Sequence, residues 1–410
     1  MASDRTYQYV EAVTEVQTTG QNVWNDVLEF SFTPGSNENW LIIATWVSKT
    51  GYGSYASTAR LYRTTVGLEE TLHEYKHYGC GGNPGPGWAC CGCFVVEEFG
   101  ETPGEQTYKV QHQTTYGGAP SHLKDLRVLI FKLEDNDLYA ADHSLTSTTE
   151  TTWQDKVTIS DSFEAGDYLI LGCAVFNMSW YDQDWKVRMN VDDSSFYNTS
   201  NVEPVTTGDQ ISTWSAIQKI TLSTGGSHTI KLQYCTETTR QVNCTYANLI
   251  LLKCSNFPNV FYDEDDSRET TTETEYQDKM TTVQSLSAQM YFVIGSCGID
   301  FTGYGNYDSA FCKLSEGENV ICDVDITARD DTTRHVPFIA SDILAASAQS
   351  YTWKFQYKTT AGETAGIQDV KLAILQLTAA GERVFPLPKD ETIWQSQSNK
   401  REFPLPGVQT

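Results

Sequence analysis

The chain has 410 residues, a length that favours two to four domains over a single core. Its formal charge of −25, from 53 acidic and 28 basic residues, disfavours binding to nucleic acid or to an anionic membrane surface, because both need a basic footprint. The first residues lack the basic and then apolar pattern of a secretory signal, and the apolar runs are too short to span a bilayer, so we expect a soluble protein made in a cytoplasm.

Similar segments recur three times along the chain, in the same order. Each copy begins with an aromatic residue that is followed two positions later by aspartate, and an apolar segment starts 15 or 16 residues after that aromatic residue. Two further strand-like segments match later in each copy. The four anchors begin at Trp24, Trp153 and Tyr276, at Trp40, Tyr168 and Tyr291, at Tyr108, Ile230 and Trp353, and at Leu126, Ala247 and Val370. Four anchors in constant order indicate three tandem repeats.

The third anchor indicates what each repeat is made of. Tyr108, Val110 and His112 alternate with polar residues, and the other two copies repeat this period of two. The alternation is typical of a β-strand with one buried face, which makes His112 a packing residue. Turn-forming residues recur about every 8–12 residues, as in antiparallel sandwiches. The sequence therefore predicts an all-β fold of three tandem antiparallel β-sandwich domains of jelly-roll type, with an immunoglobulin-like sandwich as the alternative.

The predicted domains are residues 1–134, 135–256 and 257–378, followed by an extended C-terminal arm at 379–410. A run of four acidic residues, Asp263–Asp266, lies in the joint between the second and third domains. We predict a solvated spacer there, because the run lacks the spacing of a calcium-binding loop.

The arm contains the sequence FPLP twice, at 385–388 and at 403–406. Proline fixes φ and disfavours a helix before it, so each copy should be extended and should expose its apolar side chains. An extended segment with apolar anchors and no core of its own is typical of a docking arm that orders on a partner, and an unattached terminus is the alternative. The predicted docking residues are Phe385, Leu387, Trp394, Phe403 and Leu405.

Two nearly identical hexamers, TGYGSY at 50–55 and TGYGNY at 302–307, follow the apolar strand of the first and third repeats. The middle repeat has SWYDQDW at 179–185 in the same register, so three equivalent loops at one end of the sandwiches each present aromatic residues. Three roles stay open for them: covering the end of each core, contacting a protein, or stacking on the sugars of a glycan. The residues concerned are Tyr52, Tyr55, Trp180, Tyr181, Tyr304 and Tyr307.

An insert at 73–93 in the first repeat is rich in cysteine and histidine. A structural zinc ion, disulfides and free thiols are three open interpretations; the spacing matches no usual zinc pattern, and the odd total of 11 cysteines disfavours a framework made only of disulfides. The candidate zinc ligands are His73, His77, Cys80, Cys90, Cys91 and Cys93, and the candidate disulfides are Cys80/Cys90, Cys235/Cys244 and Cys312/Cys322. No other cofactor is predicted.

Two common catalytic motifs are absent from the sequence: the Gly-x-Ser-x-Gly nucleophile elbow and the phosphate-binding glycine loop with lysine. The many carboxylates give no basis for selecting a hydrolytic pair. We therefore expect a protein that is not an enzyme.

An acidic chain of tandem β-sandwiches, rich in threonine and tyrosine and ending in a proline-containing arm, resembles the accessory structural proteins of tailed-bacteriophage particles, such as capsid decoration proteins and neck or tail appendages. The resemblance spans the whole chain in style and includes no diagnostic motif, so no site residue is transferred. It implies a structural protein of the virion, made in the host cytoplasm and docked by its arm to other capsid or tail proteins. A second function stays open, that of a three-module protein that binds host surface glycans. The repeats fit a pseudo-three-fold monomer, a homotrimer or a linear row.

Overall fold

The computed structural model describes residues 6–50, 56–65, 68–78, 88–116, 118–178, 184–202, 210–302, 309–327, 336–360, 362–377 and 382–383. These residues form 28 β-strands and one short 3-10 helix, Cys254–Asn256. In this part of the chain, no helix has the length and apolar character needed to cross a membrane. The predicted all-β fold is confirmed.

The first domain has two sheets. Its strands are β1 (Tyr7–Ala12), β2 (Val16–Thr18), β3 (Asn25–Phe32), β4 (Asn39–Thr50), β5 (Ala56–Thr65), β6 (Leu68–Tyr78), β7 (Ala89–Glu98), β8 (Gln106–Thr114) and β9 (Ser121–Lys132). One sheet has the order β1-β9-β4-β7, with β2 also paired to β9, and the other has the order β3-β8-β5-β6.

The second domain repeats this arrangement. Its strands are β10 (Leu138–Asp142), β11 (Thr146–Thr148), β12 (Gln154–Phe163), β13 (Gly166–Met178), β14 (Trp185–Val191), β15 (Ser195–Val202), β16 (Gln210–Leu222), β17 (Gly226–Thr236) and β18 (Val242–Lys253). The sheets have the orders β10-β18-β13-β16, with β11 paired to β18, and β12-β17-β14-β15.

The third domain repeats the arrangement again. Its strands are β19 (Val260–Asp265), β20 (Glu269–Thr271), β21 (Gln277–Leu286), β22 (Met290–Thr302), β23 (Ser309–Glu316), β24 (Asn319–Thr327), β25 (Val336–Ala345), β26 (Gln349–Thr359) and β27 (Thr364–Leu377). The sheets have the orders β19-β27-β22-β25, with β20 paired to β27, and β21-β26-β23-β24. In each domain four strands of the inner sheet face a four-stranded outer sheet, and this connectivity makes each domain a jelly roll, as predicted, and not an immunoglobulin-like sandwich.

Each jelly roll has its own core between its two sheets. On β8, Tyr108, Val110 and His112 are fully buried, which is the face that the alternation in the sequence indicates. The sheets that contain β1, β10 and β19 are called the inner sheets below, and the sheets that contain β3, β12 and β21 the outer sheets.

A fourth apolar core lies between the domains and is made by the inner sheets. On β4, Ile42 points into the first jelly roll, whereas Leu41 and Ile43 point out of it into this shared core. The equivalent shared-core residues are Leu169 and Leu171 on β13 and Phe292 and Ile294 on β22. Because both faces of these strands are buried, the strands read as continuous apolar runs without alternation.

The inner sheets also share a β-bulge. The central strands of the inner sheets are β4, β13 and β22, which pair with β9, β18 and β27. Asp125, Tyr246 and Asp369 have φ values of 50°, 48° and 51°, and each lies where this pairing shifts register. A left-handed residue in a strand marks a bulge of this kind, and its recurrence at the same place confirms that the three domains are copies of one unit.

The acidic run in the second joint differs from the prediction. Asp263 to Asp265 end strand β19 and do not form a solvated spacer. The Nζ atom of Lys279 lies 2.7 Å from Asp265, and Lys371 pairs with Asp266 and with Glu264. Two buried lysines thus offset the mutual repulsion of the acidic residues, a compensation that the local sequence does not reveal.

The last described segment, β28 (Glu382–Arg383), comes from the predicted arm. It pairs with β1 in parallel, with Gln8 opposite Glu382 and Tyr9 opposite Arg383. The chain that leaves the third domain therefore runs along the edge of the first.

Candidate functional site: a pseudo-three-fold interface between the domains

Most residues that the sequence marks as a candidate site lie outside the described residues. They are the loop residues Tyr52, Tyr55, Trp180, Tyr181, Tyr304 and Tyr307, the arm residues Phe385, Leu387, Trp394, Phe403 and Leu405, and Cys80. The roles assigned to them stay predictions. His73, Cys90, Cys91 and Cys93 are described, and so is the backbone of His77 in β6.

The three domains pack on one another in the same way at every interface. The edge strands of the inner sheets, β7, β16 and β25, contact one another in all three pairs. Each also packs on the central inner strand of the next domain: β7 on β13, β16 on β22, and β25 on β4. Each in turn contacts the outer sheet of the preceding domain, through β6 on β16, β15 on β25, and β24 on β7. The domains therefore close a ring around a pseudo-three-fold axis within one chain and do not form a row.

Three equivalent residues of the edge strands meet at this axis. Gly92, Ser215 and Ile339 pair with corresponding positions of β4, β13 and β22. A Cβ atom on Gly92 would lie 2.6 Å from Ile339 Cγ2 and 2.7 Å from Ser215 Oγ. The Ser215 hydroxyl donates a hydrogen bond of 3.2 Å to the Gly92 carbonyl oxygen. One large, one small and one absent side chain thus fill a space that three identical side chains could not share.

A short-range polar contact repeats beside the axis at each interface. In every case a hydroxyl or thiol on the central inner strand of one domain meets the edge strand of the preceding one. Thr45 Oγ1 lies 2.8 Å from Ser341 Oγ, the Phe94 N–H donates to Cys173 Sγ at 3.3 Å, and the Ile217 N–H donates to Ser296 Oγ at 3.3 Å. These buried contacts fix the register of each domain on its neighbour, because a shift would leave their polar atoms without partners.

The interface between the first and third domains carries a buried cation. Arg127 on β9 is 7% exposed, and its Nη1 donates a hydrogen bond of 2.9 Å to the carbonyl oxygen of Ile321 on β24. Its Nε lies 3.2 Å from Asp342 Oδ1 on β25. A guanidinium that is paired on both sides with the third domain anchors this contact, and its loss would leave Asp342 without a cation.

His73 lies in the corresponding interface between the first and second domains. It is fully buried, its ring centroid is 6.2 Å from that of Tyr246, and neither ring nitrogen has a hydrogen-bond partner. Burial, together with the nearby His143, lowers the pKa of His73 to about 3, so the imidazole is neutral at ordinary pH.

The described residues do not bring the candidate zinc ligands together. Cys91 and Cys93 point into the core of the first jelly roll, whereas Cys90 on the same strand points into the core of the third. Burial raises the pKa of Cys91 and Cys93, which disfavours the thiolate that zinc requires. In the described ranges no group of three or more His, Cys, Asp or Glu side chains is placed to hold a metal ion.

The disulfide alternative also changes. All ten described cysteines are free. Cys90 Sγ lies 3.5 Å from Cys322 Sγ, and Cys312 Sγ lies 3.6 Å from Cys297 Sγ. Cys312 and Cys322 therefore do not face each other, because the strand register pairs Cys312 with Val324 and Cys322 with Leu314. Cys312 faces Cys297 within the third domain, and Cys322 faces Cys90 across a domain interface.

The aromatic anchors of the sequence belong to a polar network on the exposed face of each outer sheet. In the first domain the Arg60 guanidinium lies 4.0 Å from the centroid of the Trp24 ring, and its Nε donates to Gln111 Oε1 at 2.9 Å. Gln111 Nε2 donates to Asp26 Oδ1 at 2.7 Å, and Lys109 Nζ lies 2.6 Å from Asp26 Oδ2. The network ties the first strand of the sheet to the two strands beside it.

The other two domains contain nearly the same network. The matching groups are Trp153, Arg188, Gln233, Asp155 and Lys231 in the second domain, and Tyr276, Lys313, Gln356, Asp278 and Lys354 in the third. The aromatic-x-Asp pattern of the sequence is therefore a strand-pairing device. Only an alignment of the repeats over their full length could have linked this pattern to the cation at Arg60, Arg188 and Lys313.

No protein-family model and no curated protein matches the chain. Among solved structures, it is similar to one described as the triple jelly roll fold and turret assembly of an archaeal virus, at 11% identity over 87% of this chain and 84% of that one, with a TM-score of 0.21. It is also similar to a structure of Sulfolobus turreted icosahedral virus, at 12% identity over 85% and 83% of the two chains, with a TM-score of 0.23. A third similar structure is the infectious bursal disease virus VP2 subviral particle, at 8% identity over 89% and 82%, with a TM-score of 0.23. All three come from viruses. Scores this low carry no argument about function.

Proposed function

We propose that the protein is a non-enzymatic structural protein of a viral particle. The observation that carries the proposal is the closed ring of three jelly rolls, whose inner sheets share one apolar core while their outer sheets face away from it. A ring of this kind presents three similar surfaces around one axis. That is the geometry needed to sit on a site where a symmetric shell or tail presents three similar surfaces of its own.

The described contacts favour a rigid building unit. Each interface repeats the same strand packing, a buried polar contact and a part of the shared core. Apolar cores that continue from one domain into the next resemble obligate interfaces, which do not open in ordinary use. A ring that keeps its shape can act as a cap or a spacer on a particle.

Attachment through the arm is part of the proposal. Strand β28 places the beginning of the arm at the free edge of β1, on the outside of the inner sheet of the first domain. The proposal assigns the residues after β28, with their two FPLP sequences, to contact with a capsid or tail protein of the same virion. We place the protein in the virion, after synthesis in the host cytoplasm, as a capsid decoration or as a neck or tail appendage of a tailed phage.

Co-sedimentation with particles that were assembled without the protein tests the proposal. Three chains are compared: the full chain, a truncation at residue 383 that keeps β28, and the full chain with Phe385, Leu387, Phe403 and Leu405 all changed to serine. We expect the full chain to sediment with the particles and both altered chains to stay in the supernatant. Circular dichroism and unfolding curves that match the full chain show that the ring itself is unchanged.

The same chains are then mixed with host cells. Failure of the full chain to bind particles overturns the structural role. Binding of the truncated chain to cells, lost on changing Tyr52, Tyr181 and Tyr304 to alanine, would instead establish the glycan-binding alternative.

A further inference from the structure

Two thiols face each other across the interface between the third and first domains. Cys322 lies on β24 of the third domain and Cys90 on β7 of the first, with 3.5 Å between their Sγ atoms. Their exposed fractions are 2% and 6%. Trp88, two residues before Cys90, also contacts the third domain, because its N–H donates a hydrogen bond of 2.8 Å to Asp325 Oδ1. This hydrogen bond holds the two strands together beside the sulfur atoms.

The other two interfaces have different residues at this place. Cys322 pairs with Leu314 across the outer sheet, and the same register position is occupied by His73 in the first domain and by Tyr197 in the second. The chain itself crosses from the first to the second domain and from the second to the third through short joints. The thiol pair lies at the one remaining interface, where the domains are far apart in sequence.

We propose that Cys90 and Cys322 form a disulfide when the protein leaves a reducing cytoplasm, and that this bond closes the ring of domains covalently. The oxidant is a small-molecule disulfide. One cysteine, as thiolate, attacks the reagent and displaces one small thiol. The other cysteine then attacks the mixed disulfide and displaces the second thiol. The two cysteine sulfurs are oxidised, the reagent is reduced to two thiols, and the two protons pass to those thiols.

The surroundings predict a slow reaction. Burial, together with the hydrogen bond to Cys322, raises the pKa of Cys90 well above its ordinary value, so the reactive thiolate is scarce in the closed structure. Attack requires a local opening of the interface, and the bond then holds the interface shut. A bond that links positions 232 residues apart restricts the unfolded chain strongly, and it should therefore stabilise the folded ring.

Cys297 and Cys312 supply a matched comparison. Their Sγ atoms are 3.6 Å apart and both are buried, but both residues lie in the third domain. A bond between them would not connect two domains.

Incubation of the reduced full-length protein with oxidised glutathione, followed by alkylation, non-reducing digestion and mass spectrometry, tests the proposal. We expect a linked peptide pair containing Cys90 and Cys322, with a mass about 2 Da below the sum of the two reduced peptides. The oxidised protein should also run faster on a non-reducing gel and melt a few degrees higher than the reduced protein. Cys322→Ser should abolish all three effects, whereas Cys297→Ser should keep them.

Three results would overturn the proposal. They are full alkylation of Cys90 and Cys322 after prolonged oxidation, stable glutathione adducts on either residue, and a linked pair that contains Cys297 and Cys312 in their place. The wild-type protein alone distinguishes these results, so the test does not depend on the folding of a variant.

Discussion

The exposed faces of the outer sheets and the axis of the ring differ in how alike their three copies are. On the outer faces, the three domains keep an aromatic ring, a cation, a glutamine, an aspartate and a lysine at equivalent places. At the axis, the equivalent residues are Gly92, Ser215 and Ile339, which share no chemistry. A network inside one domain meets the same partners in each copy and can stay the same. A residue at the axis meets two different neighbours, so complementarity requires the three copies to differ.

Among the proposed variants, Gly92→Val at the axis should lower the stability of the protein most. The new side chain would meet Ile339 and Ser215 at the distances that already exclude a Cβ atom, and we expect the free energy of unfolding to fall by about 3 kcal/mol or more. Urea unfolding followed by tryptophan fluorescence measures the change. Gly100→Val is the matched control, because no atom lies within 4 Å of a Cβ at Gly100.

A compensating change sharpens this test. Adding Ile339→Ala to Gly92→Val moves the bulky group from one domain to its neighbour, and we expect it to restore at least half of the lost stability. Equal instability of the single and double variants would mean that the three residues do not share one space.

Acid should weaken the interface between the first and second domains. The pKa of His73 falls from 6.5 to about 3 on folding, so the unfolded state takes up a proton first, and stability is lost as the pH falls below 6.5. At pH 5 this single residue should cost about 2 kcal/mol. We expect His73→Phe to lose correspondingly less stability than the wild type between pH 7 and pH 5. Identical pH dependence of the two proteins would show that His73 is not held neutral.

The bulge residue Asp369 should have the opposite pH dependence. Burial raises its pKa from 3.8 to about 6, with Gln368 opposing the shift, so stability is lost as the pH rises from about 4 to about 6. Asp369→Asn keeps a residue that tolerates the left-handed φ of 51° and should be more stable by about 2 kcal/mol at pH 7, with no gain at pH 4. Denaturant unfolding at both pH values measures this difference.

The equivalent bulge residue provides the control for this prediction. Asp125 has a φ of 50° but lies beside Arg127 and Lys124, both of which lower its pKa against the effect of burial. Asp125→Asn should therefore give a smaller gain than Asp369→Asn, or a loss.

The outer network should give the smallest and most uniform effects. Asp155→Ala removes an acceptor for Gln233 and an ion-pair partner of Lys231 on a largely exposed face, and we expect a loss of about 1 kcal/mol. Asp26→Ala and Asp278→Ala should cost similar amounts, and the triple variant should show their sum. If the loss of stability in the triple variant differs strongly from the sum of the three single losses, the outer sheets are energetically coupled through the ring.

The sequence was sufficient to predict the unit but not the ring. The alternation of Tyr108, Val110 and His112 with polar residues predicts a half-buried strand. Four anchors in constant order predict three copies of the whole repeat. The apolar runs at Trp40, Tyr168 and Tyr291 mark the same strand in each copy, and the structure buries both faces of these strands. The hydrophobic effect is non-directional, however, so an apolar run does not reveal which domain covers its outward face.

The cysteines and the acidic run show the same limit at single residues. Cys90 meets Cys322, which is 232 residues away, and no local pattern encodes that pairing. Asp263 to Asp266 look like a repelling spacer until Lys279 and Lys371 are brought beside them by the fold. Local composition predicts that a charged run is solvated, but the prediction fails where the fold brings residues of opposite charge from elsewhere in the chain.

The pairing of β28 with β1 also covers an edge of the inner sheet of the first domain. The joints after β9 and β18 lead directly into the first strand of the next domain, and the segment after β27 reaches β28 over a similar length. It arrives at the first domain, where β1 already occupies the outer edge of the inner sheet, and so it lies beside β1 as an extra strand. An uncovered edge strand offers unpaired backbone N–H and C=O groups to any other extended chain. Strand β28 therefore removes part of a surface on which two copies of the protein could pair and aggregate.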